Sequence, residues 1–247
     1  MNAPTRPRTV LVIGGSDPSG GAGIQADLKA LRAQGVYGMA AIAALTVQNT
    51  HGVRAVRLVT HDVLRAQIEA VLDDMPVDAV KIGMLGTRAA VRAVTAALEG
   101  WSGPLVIDPV GVAKGGRTLQ GPATIQALSD LASRATLITP NLLEDWAFPG
   151  RPRLVKGGHG DGARLTDVLY LDVGAGLSEL RRWGHPRIDS PHTHGTGCVL
   201  ASTLTARLAL GDDLVTACDV AITYVQRQIR RSMEGLGGGR GPLWQVD

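Results

Sequence analysis

The sequence predicts a single α/β domain built around a central, mostly parallel sheet. The chain has 247 residues, of which 45% are hydrophobic, and this is enough to bury a sizeable core. Ala, Val, Leu and Ile supply most of the apolar content, aromatic residues make up only 3%, and there are 32 glycines. This composition is typical of β-branched parallel strands that alternate with helices rich in Ala and Leu.

Short β-branched and apolar runs, typical of buried parallel strands, recur along the first two thirds of the chain. They are Thr9–Ile13, Ala79–Ile82, Leu105–Ile107, Thr136–Thr139 and Arg153–Val155. Between these runs, apolar residues repeat at helical spacing, and each set indicates one buried helix face. The sets are Ile24, Leu28 and Leu31; Leu64, Ile68, Val71 and Leu72; and Ile125, Leu128 and Leu131.

The last third of the chain follows a different pattern. Two strand-like runs, Val168–Leu171 and Leu177–Trp183, flank a glycine-rich turn, and a long helical region from about Thr196 to Arg231 is interrupted at Gly211. No repeat or linker divides the chain, so residues 1–247 are treated as one domain. The ends, residues 1–8 and 235–247, are expected to be loosely ordered tails.

Charge and cysteine content argue against several classes of protein. The formal net charge is +3 and the arginines are dispersed, so binding to nucleic acid is not predicted. The longest uncharged apolar run, Met39–Val47, is far shorter than the roughly 20 residues that span a bilayer, so no membrane partner is expected. Cys198 and Cys218 form neither a CxxC motif nor a disulfide framework, which favours a reducing, cytoplasmic location.

A glycine-rich segment, residues 14–23, follows the first predicted strand and opens the first predicted helix. Backbone N–H groups and the helix dipole at such a position suit a polar or anionic ligand. Its match to the dinucleotide-binding fingerprint is weak, because residues 40–47 lack the acidic residue that this fingerprint needs. A Walker-type phosphate loop is excluded because no lysine follows a glycine, and no Gly-x-Ser-x-Gly nucleophile elbow is present.

A second glycine-rich segment, His194-Gly195-Thr196-Gly197-Cys198, precedes the long helical region. Its two glycines let successive N–H groups approach an anion at a helix N-terminus, which suits a transferred phosphoryl group. The positive helix end also lowers the pKa of a thiol, so we expect Cys198 to be partly thiolate near neutral pH and to accept a proton from a substrate hydroxyl. The alternative is a simple tight turn followed by a small buried cysteine.

Polar residues at the ends of predicted strands form a third candidate. Asp108 follows one strand, Asn141 and Glu144 follow the next, and Lys156 follows a third. Open α/β sheets bind ligands at these ends, and the three oxygen-bearing side chains could hold Mg²⁺ directly or through its waters. Lys156 is available to a phosphate. Taken alone, Asp-Pro and Pro-Asn are ordinary turn signals.

Seven segments, in the same order along the chain, resemble those of the bacterial hydroxymethylpyrimidine/phosphomethylpyrimidine kinases, a branch of the ribokinase-like superfamily. They are GSDPSGGAGIQADLKAL (15–31), TVQNTHGV (46–53), VKIGML (80–85), IDPV (107–110), TPNLLE (139–144), VKGGH (155–159) and HGTGC (194–198). The resemblance runs from about Val10 to Arg231. It implies a three-layer αβα fold and MgATP-dependent phosphorylation of the substrate's hydroxymethyl group and then of the monophosphate, in thiamine biosynthesis.

The resemblance also implies how the pyrimidine is bound. Gln48 is expected to hydrogen-bond the aminopyrimidine edge, which suits an amide that offers both a donor and an acceptor. Four further residues are expected around the ring or the hydroxymethyl group: Gly15, Asp27, Met84 and Val110.

At the phosphoryl end, the resemblance implies an anion hole made by Gly195, Thr196 and Gly197. Cys198 stands where sugar and adenosine kinases of the superfamily carry an aspartate base. The remaining residues are expected to bind ATP and its metal: Asp108, Asn141, Glu144 and Lys156 at the phosphates, with Asp108 and Glu144 holding Mg²⁺. A homodimer is expected from the same family.

Two other functions stay open. A pyridoxine or pyridoxal kinase would share the fold, although Gln48 favours the pyrimidine. A catalytically weakened pyrimidine-binding protein is suggested by the short connection 145–153, which lacks about one helix of a usual crossover between parallel strands. We expect Trp146 and Phe148, or a partner subunit, to cover this connection. The intact HGTGC segment argues against a loss of catalysis.

Overall fold

The computed structural model describes residues 6–111, 118–160, 162–172, 174, 176–232 and 234–245. Nine strands and six α-helices lie in this part of the chain. The strands are β1 (Thr9–Ser16), β2 (Tyr37–Asn49), β3 (Gly52–Leu58), β4 (Ala79–Ile82), β5 (Leu105–Ile107), β6 (Leu137–Ile138), β7 (Arg153–Val155), β8 (Arg164–Asp172) and β9 (Leu177–Pro186). The helices are α1 (Gly23–Ala33), α2 (His61–Asp74), α3 (Arg88–Ala97), α4 (Pro122–Leu131), α5 (Thr196–Ala209) and α6 (Leu214–Arg230).

The nine described strands form one sheet in the order β3-β2-β1-β4-β5-β6-β7-β8-β9. The strands from β2 to β7 in this order pair in parallel. At the two edges, β3 runs antiparallel to β2, and β8 and β9 form an antiparallel hairpin beside β7. The prediction of a mostly parallel sheet is therefore confirmed, as is the hairpin in the last third of the chain.

Helices cover both faces of the sheet, which confirms the three-layer αβα prediction. Helices α2, α3 and α4 pack on one face, where Leu64 and Ile68 lie one turn apart in α2 and are fully buried. Helices α1, α5 and α6 pack on the other face, where Ala30 of α1 and Val199 of α5 share one apolar cluster. The break between α5 and α6 falls at Gly211, as predicted. None of the described helices combines the length and the apolar character needed to cross a membrane.

Strands β2 and β3 and helix α3 were not delineated by the sequence patterns. In β2 the side chains that enter the core include Met39, Ala41 and Ala43, all buried. Alanine is depleted in strands, so a strand whose buried face is built from small residues gives a weak signal. Packing against α2, rather than local propensity, accounts for this element.

The C-terminal segment 235–245 does not match the loose tail that we expected. Leu243 is buried, and the backbone N–H of Arg240 donates to the oxygen of Thr50 at 2.8 Å. Apolar burial and backbone hydrogen bonds therefore fasten this segment across the turn between β2 and β3. The expectation of loose order for residues 1–5 and 246–247 lies outside the described residues.

The short connection between β6 and β7 contains one 3-10 turn, Asp145–Ala147, and no α-helix. Phe148 is fully buried in the same apolar cluster as α4, whereas Trp146 is 70% exposed. The guanidinium Nε of Arg153 lies 2.5 Å from the Asp145 carboxylate and closes the connection. Phe148 thus covers the short crossover as expected, and the expectation for Trp146 is wrong because its side chain points to solvent.

We predict that Phe148→Ala lowers the free energy of unfolding by about 3–5 kcal/mol, because it leaves a large cavity in the apolar cluster that Phe148 shares with α4. Trp146→Ala is the matched control and should change the free energy of unfolding by less than about 0.5 kcal/mol. Urea unfolding followed by circular dichroism measures both. Equal losses in the two variants would contradict the assignment of Phe148 as the residue that seals the connection.

Candidate functional site

A cavity of about 520 Å³ opens at the carboxyl ends of the parallel strands. The loops that follow these strands and the start of α5 line it, since the carboxyl ends of parallel strands meet at one edge of a sheet. Every site residue predicted from the sequence lies in its wall: Gly15, Asp27, Gln48, Met84, Asp108, Val110, Asn141, Glu144, Lys156, Gly195, Thr196, Gly197 and Cys198. The fold thus brings these residues together, while the role of each stays a prediction.

Helix α5 begins at the cavity wall with two glycines. Gly195 has a φ of 79°, and a Cβ at this position would overlap the backbone oxygen of Gly21. A Cβ at Gly197 would lie 3.4 Å from the Nζ of Lys156, which places this backbone beside a cation. The N–H groups of the first turn have no acceptor within the helix, and no side chain caps them. The arrangement can bind an anion.

Asp17 organises the glycine-rich loop after β1. Its Oδ1 accepts hydrogen bonds from the backbone and the hydroxyl of Ser19, at 2.9 and 2.8 Å, and its Oδ2 accepts one from the N–H of Ala22 at 2.9 Å. Burial opposes ionisation, but hydrogen bonds from His194 and Ser19 lower the pKa of Asp17 below its ordinary value. Asp17 therefore shapes the loop as a carboxylate.

His194, in the segment before α5, contacts both this loop and the side-chain amide of Gln48. Its Nε2 lies 2.8 Å from Asp17 Oδ2 and 3.1 Å from Gln48 Nε2. One imidazole nitrogen cannot donate to the carboxylate and accept from the amide at the same time. The Gln48 amide can consequently turn to a ligand in the cavity without breaking the contact between His194 and Asp17.

Asp108 and Lys156 form a largely buried ion pair next to the start of α5. Lys156 Nζ lies 2.7 Å from Asp108 Oδ1, and the Thr139 hydroxyl donates to the same oxygen at 3.3 Å. Burial disfavours the ammonium, yet Asp108 and Glu144 raise the pKa of Lys156. Lys156 is therefore held as a cation where a phosphate could contact it.

Glu144 uses both carboxylate oxygens to hold backbone groups. Its Oε1 accepts from Gly111 N–H at 2.7 Å, and its Oε2 accepts from Asn141 N–H at 3.2 Å. In the described part of the chain no cluster of three or more His, Cys, Asp or Glu side chains is arranged around one metal position. Asp108 and Glu144 nevertheless fit Mg²⁺, which commonly keeps several waters and binds one or two carboxylates together with phosphate oxygens.

Cys198 does not have the lowered pKa that its helix position predicts. Burial raises the pKa of the thiol to about 11; Lys81 opposes this rise, and the carboxylates of Asp27 and Asp108 add to it. The expectation of a partly ionised thiol near neutral pH is therefore wrong. Local helix geometry favours the thiolate, but the buried surroundings outweigh it.

Asp27 is committed to protein contacts. Lys81 Nζ lies 3.0 and 2.9 Å from its two carboxylate oxygens, and the Ser202 hydroxyl donates to Oδ1 at 2.7 Å. Asp27 and Lys81 are each only 1% exposed. The resemblance places Asp27 next to the substrate, and Asp27 does line the cavity. Its carboxylate oxygens, however, are largely occupied by hydrogen bonds from Lys81 and Ser202.

Gln120 fixes the two loops that carry Met84 and Val110. Its Oε1 accepts from the N–H groups of Leu85 and Gly86 at 2.9 and 3.0 Å, and its Nε2 donates to the oxygen of Pro109. Val110 has a φ of 44°, which is unfavourable for a β-branched residue and persists only where the surroundings enforce it. Buried Gln120 and Glu144 hold the backbone on either side of Val110, at Pro109 and Gly111.

Sequence reasoning missed four residues of the site: Asp17, Lys81, Gln120 and His194. Asp17 and His194 lie inside segments that were singled out, but their contact joins positions 177 residues apart. Lys81 carried a usable signal, because a lysine inside an otherwise apolar strand is rarely buried without a partner. Nothing in the sequence distinguishes Gln120 from a surface amide.

The chain matches known proteins over nearly its whole length. The sequence model of the family described as phosphomethylpyrimidine kinase matches residues 17–153 and 150–244. The hydroxymethylpyrimidine/phosphomethylpyrimidine kinase of Streptomyces coelicolor is 40% identical over 270 residues, covering 98% of this chain and 97% of the relative. A thiamine biosynthesis multifunctional protein of Corynebacterium efficiens is 38% identical over 262 residues, covering 95% of this chain, but the chain spans only 34% of that longer protein.

Solved structures of similar proteins superpose on this chain over most of its length. Bacillus subtilis pyridoxal kinase, solved as an ADP complex, superposes with a TM-score of 0.84 at 32% identity, covering 96% of this chain and 97% of that one. A phosphomethylpyrimidine kinase of Clostridium difficile superposes with a TM-score of 0.74 at 34% identity, covering 89% and 98%. The ribokinase-like fold implied by the resemblance is confirmed.

We predict that alkylation of Cys198 by iodoacetamide accelerates about tenfold per pH unit from pH 7 to 10, because the thiolate fraction rises in that proportion below a pKa of about 11. Mass spectrometry of the peptide that contains Cys198 measures the rate. A small free thiol in the same tube, with a pKa of about 8.5, should level off within this range. A plateau for Cys198 below pH 9 would contradict the raised pKa.

Proposed function

The chain belongs to the phosphomethylpyrimidine kinase family, and from this premise we propose that it transfers the γ-phosphoryl group of ATP to 4-amino-5-hydroxymethyl-2-methylpyrimidine and then to the monophosphate, in thiamine biosynthesis. One observation carries the proposal. A single cavity holds an amide that can read an aminopyrimidine at one end and, at the other, a glycine-rich helix start between two lysine–aspartate pairs. The first feature suits the acceptor, and the second suits a phosphoryl group.

The pyrimidine occupies the end of the cavity that contains Gln48. The amide supplies one donor and one acceptor, which matches the exocyclic amine and adjacent ring nitrogen of an aminopyrimidine. Met84, Val110 and Gly15 form the walls against the ring faces; a Cβ at Gly15 would lie 2.7 Å from Met84 Cε, so the glycine makes room for this contact. These walls orient the hydroxymethyl group toward α5.

The phosphates occupy the other end. Backbone N–H groups of Gly195, Thr196 and Gly197 receive the transferred group, and Lys156 neutralises charge on the phosphate oxygens. Asp108 and Glu144, with Asn141 beside them, are the residues that would hold Mg²⁺, and the metal would supply further charge neutralisation on the nucleotide. Together these groups bring donor and acceptor into line for phosphoryl transfer.

Cys198 lies beside the attacking hydroxyl in this proposal. Phosphoryl-transfer transition states are loose, so positioning and charge stabilisation count for more than a strong base. A neutral thiol can pack against the hydroxymethyl group and hold it in place. Cys198 accepts the hydroxyl proton only after the thiol has lost its own proton to solvent.

The quaternary structure and location are part of the same proposal. We place the protein in the cytoplasm as a homodimer. Exposed apolar side chains on β2 and β3, Leu45, Val47 and Leu58, support association through that edge of the sheet, and each is 50–51% exposed. Two unpaired thiols, Cys198 and Cys218, agree with a reducing compartment.

Pyridoxal is the second candidate acceptor, because a similar protein of the same fold, from Bacillus subtilis, is a pyridoxal kinase. We predict that purified protein with MgATP converts hydroxymethylpyrimidine to its mono- and then diphosphate, with pyridoxal turned over at least about tenfold less efficiently in kcat/KM. Liquid chromatography with mass spectrometry follows all products. Cys198→Ala is expected to lower kcat by roughly a hundredfold. Failure to phosphorylate either acceptor would reject the proposed function.

Gln48→Ala should raise KM for hydroxymethylpyrimidine about tenfold, the equivalent of about 1.4 kcal/mol of lost hydrogen bonding, with kcat within about threefold of wild type. The reason is that the amide contacts the ring and not the reacting atoms. Gln34→Ala, at the end of α1, is the matched control and should leave both constants unchanged. An unchanged KM in the Gln48 variant would remove this residue from the acceptor site.

A further inference from the structure

Lys81 is a buried cation to which the sequence patterns give no role, and the proposed function uses its charge at the phosphoryl end without assigning it a part in the transfer step. It lies in the middle of β4, between Val80 and Ile82, and is 1% exposed. Burying an ammonium group is unfavourable by several kcal/mol unless close partners compensate for the lost hydration. A leucine or valine would serve the packing of β4 without this cost, so the charge itself needs an explanation.

The contacts of Lys81 hold its ammonium group in one place. Both oxygens of Asp27 lie within 3.0 Å of Nζ, and Ser202 fixes the same carboxylate from α5. A Cβ at Gly83 would lie 3.1 Å from Nζ, so the glycine leaves room for the side chain to fold toward the cavity. The ammonium group is thus immobilised between β4, α1 and α5.

This position is next to the nucleophile end of the site. Cys198 and Ser202 are four residues apart in α5 and therefore share the helix face that looks at the Lys81–Asp27 pair. Both Lys81 and Asp27 also line the cavity. The thiol and the pair therefore lie on one face of α5 and line the same cavity.

The charged groups around Cys198 come from four elements. Asp27 of α1 and Asp108 after β5 disfavour a thiolate, whereas Lys81 of β4 favours it; Lys156 after β7 is engaged by Asp108. Burial opposes the ammonium form, but Asp27, Cys198 and Asp108 together raise the pKa of Lys81, so it stays protonated. Of these cations, Lys81 is the one that opposes the raised pKa of Cys198 most strongly.

We infer that Lys81 is a positioning residue for phosphoryl transfer. Its ammonium group, held in place by Asp27 and Ser202, stabilises the thiolate form of Cys198, and this thiolate then takes the proton of the acceptor hydroxyl. This inference rests on the proposed function. In the step, the thiol first gives its proton to solvent. The substrate O–H bond then breaks as the new O–P bond forms, its proton passes to the sulfur, and ADP leaves with the electrons of the cleaved P–O bond.

The test combines a thiol measurement with kinetics. The double variant Lys81→Met/Asp27→Asn removes both charges and leaves no uncompensated buried ion. Lys81 favours the thiolate more strongly than Asp27 disfavours it, so removing both charges should lower the Cys198 alkylation rate at pH 8 by about threefold, the effect of about half a unit in the thiol pKa. We expect kcat for hydroxymethylpyrimidine to fall at least about threefold, with KM within about twofold. Circular dichroism establishes that the variant is folded.

A second variant should change the Cys198 alkylation rate in the opposite direction. Asp27→Asn keeps Lys81 and removes the opposing carboxylate, so alkylation of Cys198 should become faster than in the wild type, which a merely structural role for the pair would not produce. Thr205→Val is the matched control, because Thr205 is buried one turn beyond the pair and bonds only within α5 among the described contacts. It should leave the alkylation rate unchanged.

The outcomes separate the inference from the function on which it rests. If the wild type phosphorylates hydroxymethylpyrimidine and the folded double variant keeps the wild-type alkylation rate and kcat, the role of Lys81 is rejected and the kinase function stands. If alkylation and kcat both fall in the double variant, the inference is supported. If the wild type phosphorylates no acceptor, the proposed function and the catalytic role of Lys81 fail together, even where alkylation still responds to the charge.

Discussion

Two buried lysine–aspartate pairs meet the first turn of α5, and the site depends on how their charges balance there. Lys156 and Asp108 lie at the ends of β7 and β5, while Lys81 and Asp27 come from β4 and α1. Each pair satisfies its own charges, so the sheet tolerates four ionised groups beside an apolar core. Both ammonium groups remain near the helix end, where an incoming phosphoryl group brings negative charge.

This balance also explains why Cys198 is not the activated thiol that a helix N-terminus alone would produce. The helix dipole acts over one turn, but desolvation of the thiol and the charges of Asp27 and Asp108 raise its pKa. A protonated thiol is also less exposed to oxidation and alkylation when no substrate is bound, since the thiolate is the reactive form. The same surroundings include a cation, Lys81, that favours the thiolate form of Cys198.

The rest of the cavity is held by side chains that contact backbone groups. Asp17 shapes the first glycine-rich loop, Glu144 joins the loops after β5 and β6, and Gln120 joins those after β4 and β5. Because these three act on loops from neighbouring strands, the ligand-facing residues inherit their positions from the sheet. The short connection between β6 and β7 does not disturb this frame, since Phe148 seals the core behind it.

The sequence by itself determined five of the six parallel strands, the two glycine-rich helix starts and the polar residues at the strand ends. These features follow from local patterns: β-branched runs make strands, glycines permit close approach, and strand ends in a parallel sheet converge. The residues expected around the pyrimidine came instead from the family resemblance. The tertiary structure alone decided which charges meet. The contact of Asp17 with His194 joins residues 177 apart, and that of Asp27 with Ser202 joins residues 175 apart. The ionisation of Cys198 and the place of Lys81 depend on such distant neighbours, because electrostatic interactions act through space and not along the chain.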